Sequence, residues 1–67
     1  MFTIEFNGQP REVNEEISVA DLLRESRVEA RFCAVEINLE ILPKDQYATK
    51  RLREGDQIEI VTLVGGG

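Results

Sequence analysis

Apolar and polar residues alternate from the second position onward. Phe2, Ile4 and Phe6 are separated by Thr3 and Glu5. This is the period-two pattern of a half-buried strand, with the three apolar residues facing the core. Asn7-Gly8 comes directly after. Both residues tolerate positive φ, so the pair predicts a type I′ hairpin turn. Gln9 to Val13 is then the returning strand. Pro10 within it has no N–H for a ladder, which assigns this strand to a sheet edge. The pattern next changes to a helical one. Ser18 is an N-cap, Asp21 three residues later completes a shortened capping box, and Ile17 and Leu22 fall where a hydrophobic staple forms. Val19, Leu22 and Leu23 supply the apolar stripe of a short helix over Val19 to Ser26. Arg24 and Arg27 stand near its C-terminal end, where positive charge complements the dipole.

Alternation resumes over Phe32 to Ile37, the predicted third strand. Cys33, Val35 and Ile37 form its core set, because the other set contains Glu36. Asn38 begins a turn, and Ile41-Leu42 is a short strand cut off by Pro43. Lys44 to Lys50 is polar apart from an anchoring Tyr47, and Leu52 packs inward. Glu54-Gly55-Asp56 is a turn, and Gln57 to Val64 is the last strand, with Ile58 and Ile60 inward. The predicted core comprises Ile4, Phe6, Val19, Leu22, Leu23, Val35, Ile37, Ile58 and Ile60. Strands arranged around one helix define an α+β domain with the helix on one sheet face. The order is that of a β-grasp, in which the first and last strands pair in parallel at the centre and the last strand delivers its end outward. The predicted division is a β-grasp domain over residues 1–64 and a flexible glycine tail over 65–67.

Composition narrows what such a domain does. With 67 residues, the chain forms one small domain and cannot enclose a deep substrate pocket, which argues against a self-sufficient enzyme. Its 13 acidic and 8 basic residues leave a net charge of −5, repelled by nucleic-acid phosphates and anionic lipid. Expected partners are therefore proteins with basic patches, not nucleic acid or membrane. Cys33 is the only cysteine and there is no histidine. A disulfide, a Cys–His nucleophile and a zinc site are all excluded within this chain, and Cys33 reads as a buried strand residue. No stretch has transmembrane length and the first residues lack a signal-peptide pattern. A cytoplasmic chain, monomeric when isolated, is expected.

The candidate chemistry lies at the end, Val61-Thr62-Leu63-Val64-Gly65-Gly66-Gly67. Glycine has no Cβ, so this backbone passes through a narrow channel and presents an unhindered terminal carboxylate. With Ile58 and Ile60 inward, Val61 and Leu63 lie on the opposite sheet face, and Phe32 and Ala34 are expected beside them. An apolar patch on an acidic surface, leading into the tail, marks a partner site.

The β-grasp order, the strand beginning Phe2-Thr3-Ile4, the turn Glu54-Gly55-Asp56 before Gln57-Ile58-Glu59-Ile60, and the Gly66-Gly67 ending resemble the prokaryotic ubiquitin-like sulfur carriers. Within these the chain most resembles the ThiS family of thiamin thiazole synthesis. Ala34-Val35-Glu36-Ile37-Asn38 followed by Ile41-Leu42-Pro43 is similar to that family as well. Gly65 lengthens the usual ending by one glycine. The resemblance implies that an E1-like adenylyltransferase (ThiF-like) uses ATP to turn the Gly67 carboxylate into an acyl-adenylate. A sulfur donor protein then displaces AMP, leaving a thiocarboxylate whose sulfur passes to a thiazole synthase (ThiG-like). Gly67 would carry the chemistry. Gly65, Gly66, Val64, Leu63, Val61, Phe32 and Ala34 would bind partners. The chain itself would bind no cofactor and would be a co-substrate, not an enzyme. Two other readings remain open: a molybdopterin synthase small-subunit type of carrier, usually longer than this chain, and a β-grasp interaction module with no chemistry at its tail.

Overall fold

Asn7 and Gly8 take φ values of 51° and 83°, and between them the chain reverses from β1 (Phe2–Phe6) into β2 (Gln9–Val13). The two strands pair antiparallel with Phe2 opposite Val13 and Phe6 opposite Gln9, as an Asn-Gly turn dictates. The computed structural model describes residues 1–62. Its remaining elements are α1 (Val19–Glu25), β3 (Cys33–Ile37), β4 (Glu40–Leu42) and β5 (Gln57–Thr62), with short 3-10 turns at Ala30–Phe32 and Lys44–Gln46. The five strands form one mixed sheet in the order β2-β1-β5-β3-β4. β1 and β5 are parallel neighbours and β3 is antiparallel to β5. The β-grasp expectation holds, and the Pro10 strand is an edge. Leu63 and Val64, predicted to finish the last strand, and the boundary between residues 64 and 65 lie outside the described residues.

The helix starts where the sequence places it. The Ser18 hydroxyl accepts a hydrogen bond from the Asp21 N–H at 3.1 Å, and the Asp21 carboxylate accepts one from the Ser18 N–H at 3.2 Å. This is a full reciprocal capping box. Two further helix-start donors are satisfied from a distant loop: Val19 N–H donates to the Lys50 carbonyl and Ala20 N–H to the Tyr47 carbonyl. The helix ends one residue earlier than predicted, with Ser26 as its C-cap. Arg27, expected to complement the dipole, instead occupies the left-handed position after the cap, with φ of 58°. Arg27 N–H donates to the Arg24 carbonyl and Val28 N–H to the Leu23 carbonyl, the pairing of a Schellman stop. Arg24 pairs with Asp21 at 3.0 Å.

The core joins the helix residues Val19, Leu22 and Leu23 to Ile4, Val35, Ile37 and Ile58 of the sheet. Tyr47 and Leu52 are buried as expected, and Cys33 is buried with them. Phe6 and Ile60, placed in the core from the alternation, are only half-buried and pack at its margin. They sit at the end of the sheet that the seven-residue helix does not cover. Val13 and Ile17 are core residues outside the predicted set. The third strand begins at Cys33, not Phe32, because residues 30–32 close a 3-10 turn first.

Leu22→Ala leaves a void where a fully buried side chain stood, and is expected to lower the unfolding free energy by about 2–5 kcal/mol in a urea titration. Acid provides a second test of stability. The Ser18 N–H, then the Ser18 hydroxyl and Arg24, hold the Asp21 carboxyl below its ordinary 3.8. A carboxyl depressed by folding stabilises the native state above its unfolded pKa, and that contribution disappears as pH falls through the lower folded value. Melting curves recorded downward from about pH 5 are expected to show a shallower acid loss for Asp21→Asn than for the natural chain.

Candidate functional site

β5 precedes the glycine run in the sequence, and its position is fixed at its start and middle by asparagine side chains. At its start, Asn38 N–H donates to the Gln57 carbonyl at 2.8 Å. The Asn38 side-chain oxygen accepts from the Gln57 N–H at 3.0 Å, and its amide donates to Asp56 at 3.1 Å. Further along, Asn7 N–H donates to the Ile58 carbonyl, and the Asn7 side-chain oxygen accepts from the Ile60 N–H at 2.8 Å. Asn7 thus has two roles. It turns the first hairpin, and it continues the β1 side of the ladder after β1 itself has ended. Only the turn is visible in the sequence.

β5 alternates as predicted at its buried end, with Ile58 inward. Val61 points away from the helix and is 45% exposed. It stands directly opposite Ala34 of β3. The structure therefore brings together two of the predicted contact residues. Phe32 is not with them. Its place in the 3-10 turn breaks the strand alternation, and it borders a groove with Phe6, Cys33 and Ile60, all from the helix side of the sheet. The Arg31 guanidinium covers its ring at 4.8 Å. Leu63, Val64, Gly65, Gly66 and Gly67 lie outside the described residues.

The outward face around Val61 and Ala34 is acidic. The ladders place Glu59 opposite Glu36, Ile41 beside Glu36, and Glu5 beside Gln57. Glu12 lies opposite Thr3 on the same face. No basic residue holds an outward strand position among the described residues. A surface of carboxylates with a small apolar centre suits a basic protein surface. Among the described residues no group of three or more His, Cys, Asp or Glu could hold a metal ion, and no helix is long and apolar enough to cross a membrane.

The mixed sheet, single helix and central parallel pair define a ubiquitin-like β-grasp protein. The model of the ThiS family matches residues 4–67. The chain belongs to the ThiS family. It is 42% identical over 50 residues to the sulfur carrier protein ThiS of Bacillus subtilis, covering 75% of this chain and 76% of that one. It is 46% identical over 61 residues to a thiazole synthase of Paramagnetospirillum magneticum, covering 91% of this chain but only 19% of that protein. Among solved structures, the crystal structure of the thiamine biosynthesis protein ThiS from Geobacter metallireducens superimposes with a TM-score of 0.86 at 30% identity, over 98% of this chain and all of that one.

Glu36 and Glu59 face each other directly across two strands, and like charges so placed destabilise a sheet. Glu59→Lys is expected to raise stability by roughly 0.2–1 kcal/mol in urea denaturation. The gain should shrink in concentrated salt, where surface charges are screened.

Proposed function

We propose that this chain is a sulfur carrier for the thiazole ring of thiamin, with Gly67, as a free C-terminus, bearing the sulfur. The observation that carries this reading is the course of β5 in a ThiS-family domain. The strand is pinned at its start and middle and holds Thr62 in register with Cys33, and the sequence reaches Gly65 after only Leu63 and Val64. A carboxylate is a poor electrophile. In the proposed cycle the Gly67 carboxylate attacks the α-phosphate of ATP, held by an E1-like adenylyltransferase, and pyrophosphate leaves. A sulfur donor protein then presents sulfur at the sulfide level, which attacks the acyl carbon as the C–O bond to the phosphate breaks, and AMP departs with the original carboxylate oxygen. The resulting thiocarboxylate is bound, nucleophilic sulfur for thiazole synthase. ATP belongs to the partner throughout, and the chain acts as a recharged co-substrate. The likeness to part of a thiazole synthase supports that enzyme as the acceptor, and the likeness to a sulfur carrier named ThiS favours the thiazole branch over the molybdopterin one.

Val61 and Ala34, with Leu63, Val64 and the glycines beyond, form the proposed docking face and thread. Ordering the thread in a partner's channel costs roughly 1–2 kcal/mol of backbone entropy per residue, and the contacts of the folded face offset it. The reacting carboxylate must sit in line with the phosphate. Deleting Gly67 withdraws it by up to about 3.6 Å, and a misplacement of about 1 Å can cost about a hundredfold in rate.

The test is intact mass after incubation with ATP, the adenylating enzyme and a sulfide source. The natural chain is expected to gain one O-to-S exchange. Chains lacking Gly67, or extended by one residue beyond it, are expected to gain none while melting at the same temperature. Sulfur uptake by the altered chains at the natural rate would replace the carrier with an interaction module.

A further inference from the structure

β5 has one flank that is only partly used. Its parallel pairing with β1 covers Glu5 opposite Gln57 and Phe6 opposite Ile58, and then β1 turns away at Asn7-Gly8. Ile60 N–H points to this flank, since it donates to the Asn7 side-chain oxygen there. Orientation repeats at every second residue of a strand. The Ile60 carbonyl and both main-chain groups of Thr62 therefore face the same flank. None of these three groups has a main-chain hydrogen bond among the described residues. Thr62 is exposed. Beside this short edge lies a groove of about 460 Å³, whose lining joins the apolar Phe6, Val28, Phe32 and Ile60 to polar residues that include Glu29 and Thr62.

We propose that this edge receives an extended segment of the adenylating partner, which pairs main chain to main chain with Ile60 and Thr62 and lays an apolar side chain in the groove. The proposal rests on the carrier reading above and names how the strand before the tail is gripped. Strand addition draws its affinity from such edge groups and its specificity from adjoining side-chain pockets. The partner is favoured over a second copy on two grounds. The edge is too short to hold a dimer by pairing alone, and two copies would each bring a net charge of −5 to the contact. It is also continuous with the proposed docking face, because Val61, between the two edge residues, points outward beside Ala34. Pairing at Thr62 would hold the strand before the tail in one register, and so set the register in which Gly67 reaches the phosphate.

The first measurement is amide hydrogen exchange at Thr62, read by NMR in the isolated chain and in its complex with the cognate E1-like adenylyltransferase. Exchange is expected to be fast in the isolated chain and at least about tenfold slower in the complex. An unchanged rate in the complex overturns the proposal. Protection already present in the isolated chain overturns it too, since the edge would then be occupied by this chain itself or by a second copy. The second measurement compares Thr62→Pro with Thr62→Ala. Proline removes the edge N–H and leaves the β3 ladder untouched, because Thr62 turns that group away from β3. Thr62→Pro is expected to bind the enzyme about tenfold more weakly than Thr62→Ala, the effect of leaving one acceptor unpaired. Equal binding overturns the proposal. If the natural chain gains sulfur while Thr62 remains unprotected in the complex, the carrier reading stands and the edge pairing alone fails.

Discussion

β5 is flanked on both sides over its first half and on one side over its second, and the rest of the molecule is arranged around that asymmetry. A parallel central pair cannot be closed by a tight turn. It needs a long crossover, and here the crossover contains β2, the helix, β3 and β4. The hydrogen-bonded contact of β1 with β5 is short. It is extended by the side chain of Asn7, which takes the Ile60 N–H where the next residue of a longer β1 would have stood. Asn38 does the corresponding work at the other end. A residue chosen for a turn thus also finishes a ladder, and the last strand is held without a longer sheet.

The two faces of the sheet separate stability from recognition. The helix side holds the core residues Ile4, Val35 and Ile58 under Val19 and Leu22. The outward side holds Glu5, Glu12, Glu36 and Glu59 around Ala34 and Val61, and it includes a pair of glutamates placed where they repel. Leu39 is a parallel case. It is 83% exposed with φ of 72°, a backbone region costly for a branched side chain. Neither feature helps the fold. Natural domains tolerate such local losses where the surface has another task.

Much of this architecture is legible in the chain because it is written in local chemistry. Asn7-Gly8 sets the first hairpin, Pro10 the edge strand, Ser18 and Asp21 the helix start. Strand alternation correctly buries Cys33, Val35, Ile37 and Ile58. The misreadings have two causes: contacts between distant segments, and local turns whose sequences lack a turn signal. Alternation cannot say that the helix is too short to cover Phe6 and Ile60. It cannot say that a 3-10 turn shifts Phe32 out of register with Ala34. Arg27 in a left-handed cap and Leu39 in a tight turn carry none of the usual glycine signal. Of the site, Val61 and Ala34 are legible from parity alone. The second role of Asn7 is not, since a hydrogen bond to Ile60 spans most of the chain. Its only trace in the sequence is that asparagine, not aspartate or glycine, precedes Gly8.

The pinning of β5 also bears on the energetics of a tailed carrier. Each residue that must be ordered on docking costs roughly 1–2 kcal/mol of backbone entropy. A last strand that frayed from Ile58 onward would add several residues to that cost, comparable to a large part of the stability of so small a domain. With Ile60 bonded to Asn7, and Val61 and Thr62 in register with Ala34 and Cys33, those residues are ordered when the chain folds. Their cost is met by the core and the ladder and does not fall on docking. The fold therefore sets how much of the chain a partner must organise, and the length of the thread is a thermodynamic quantity as well as a geometric one.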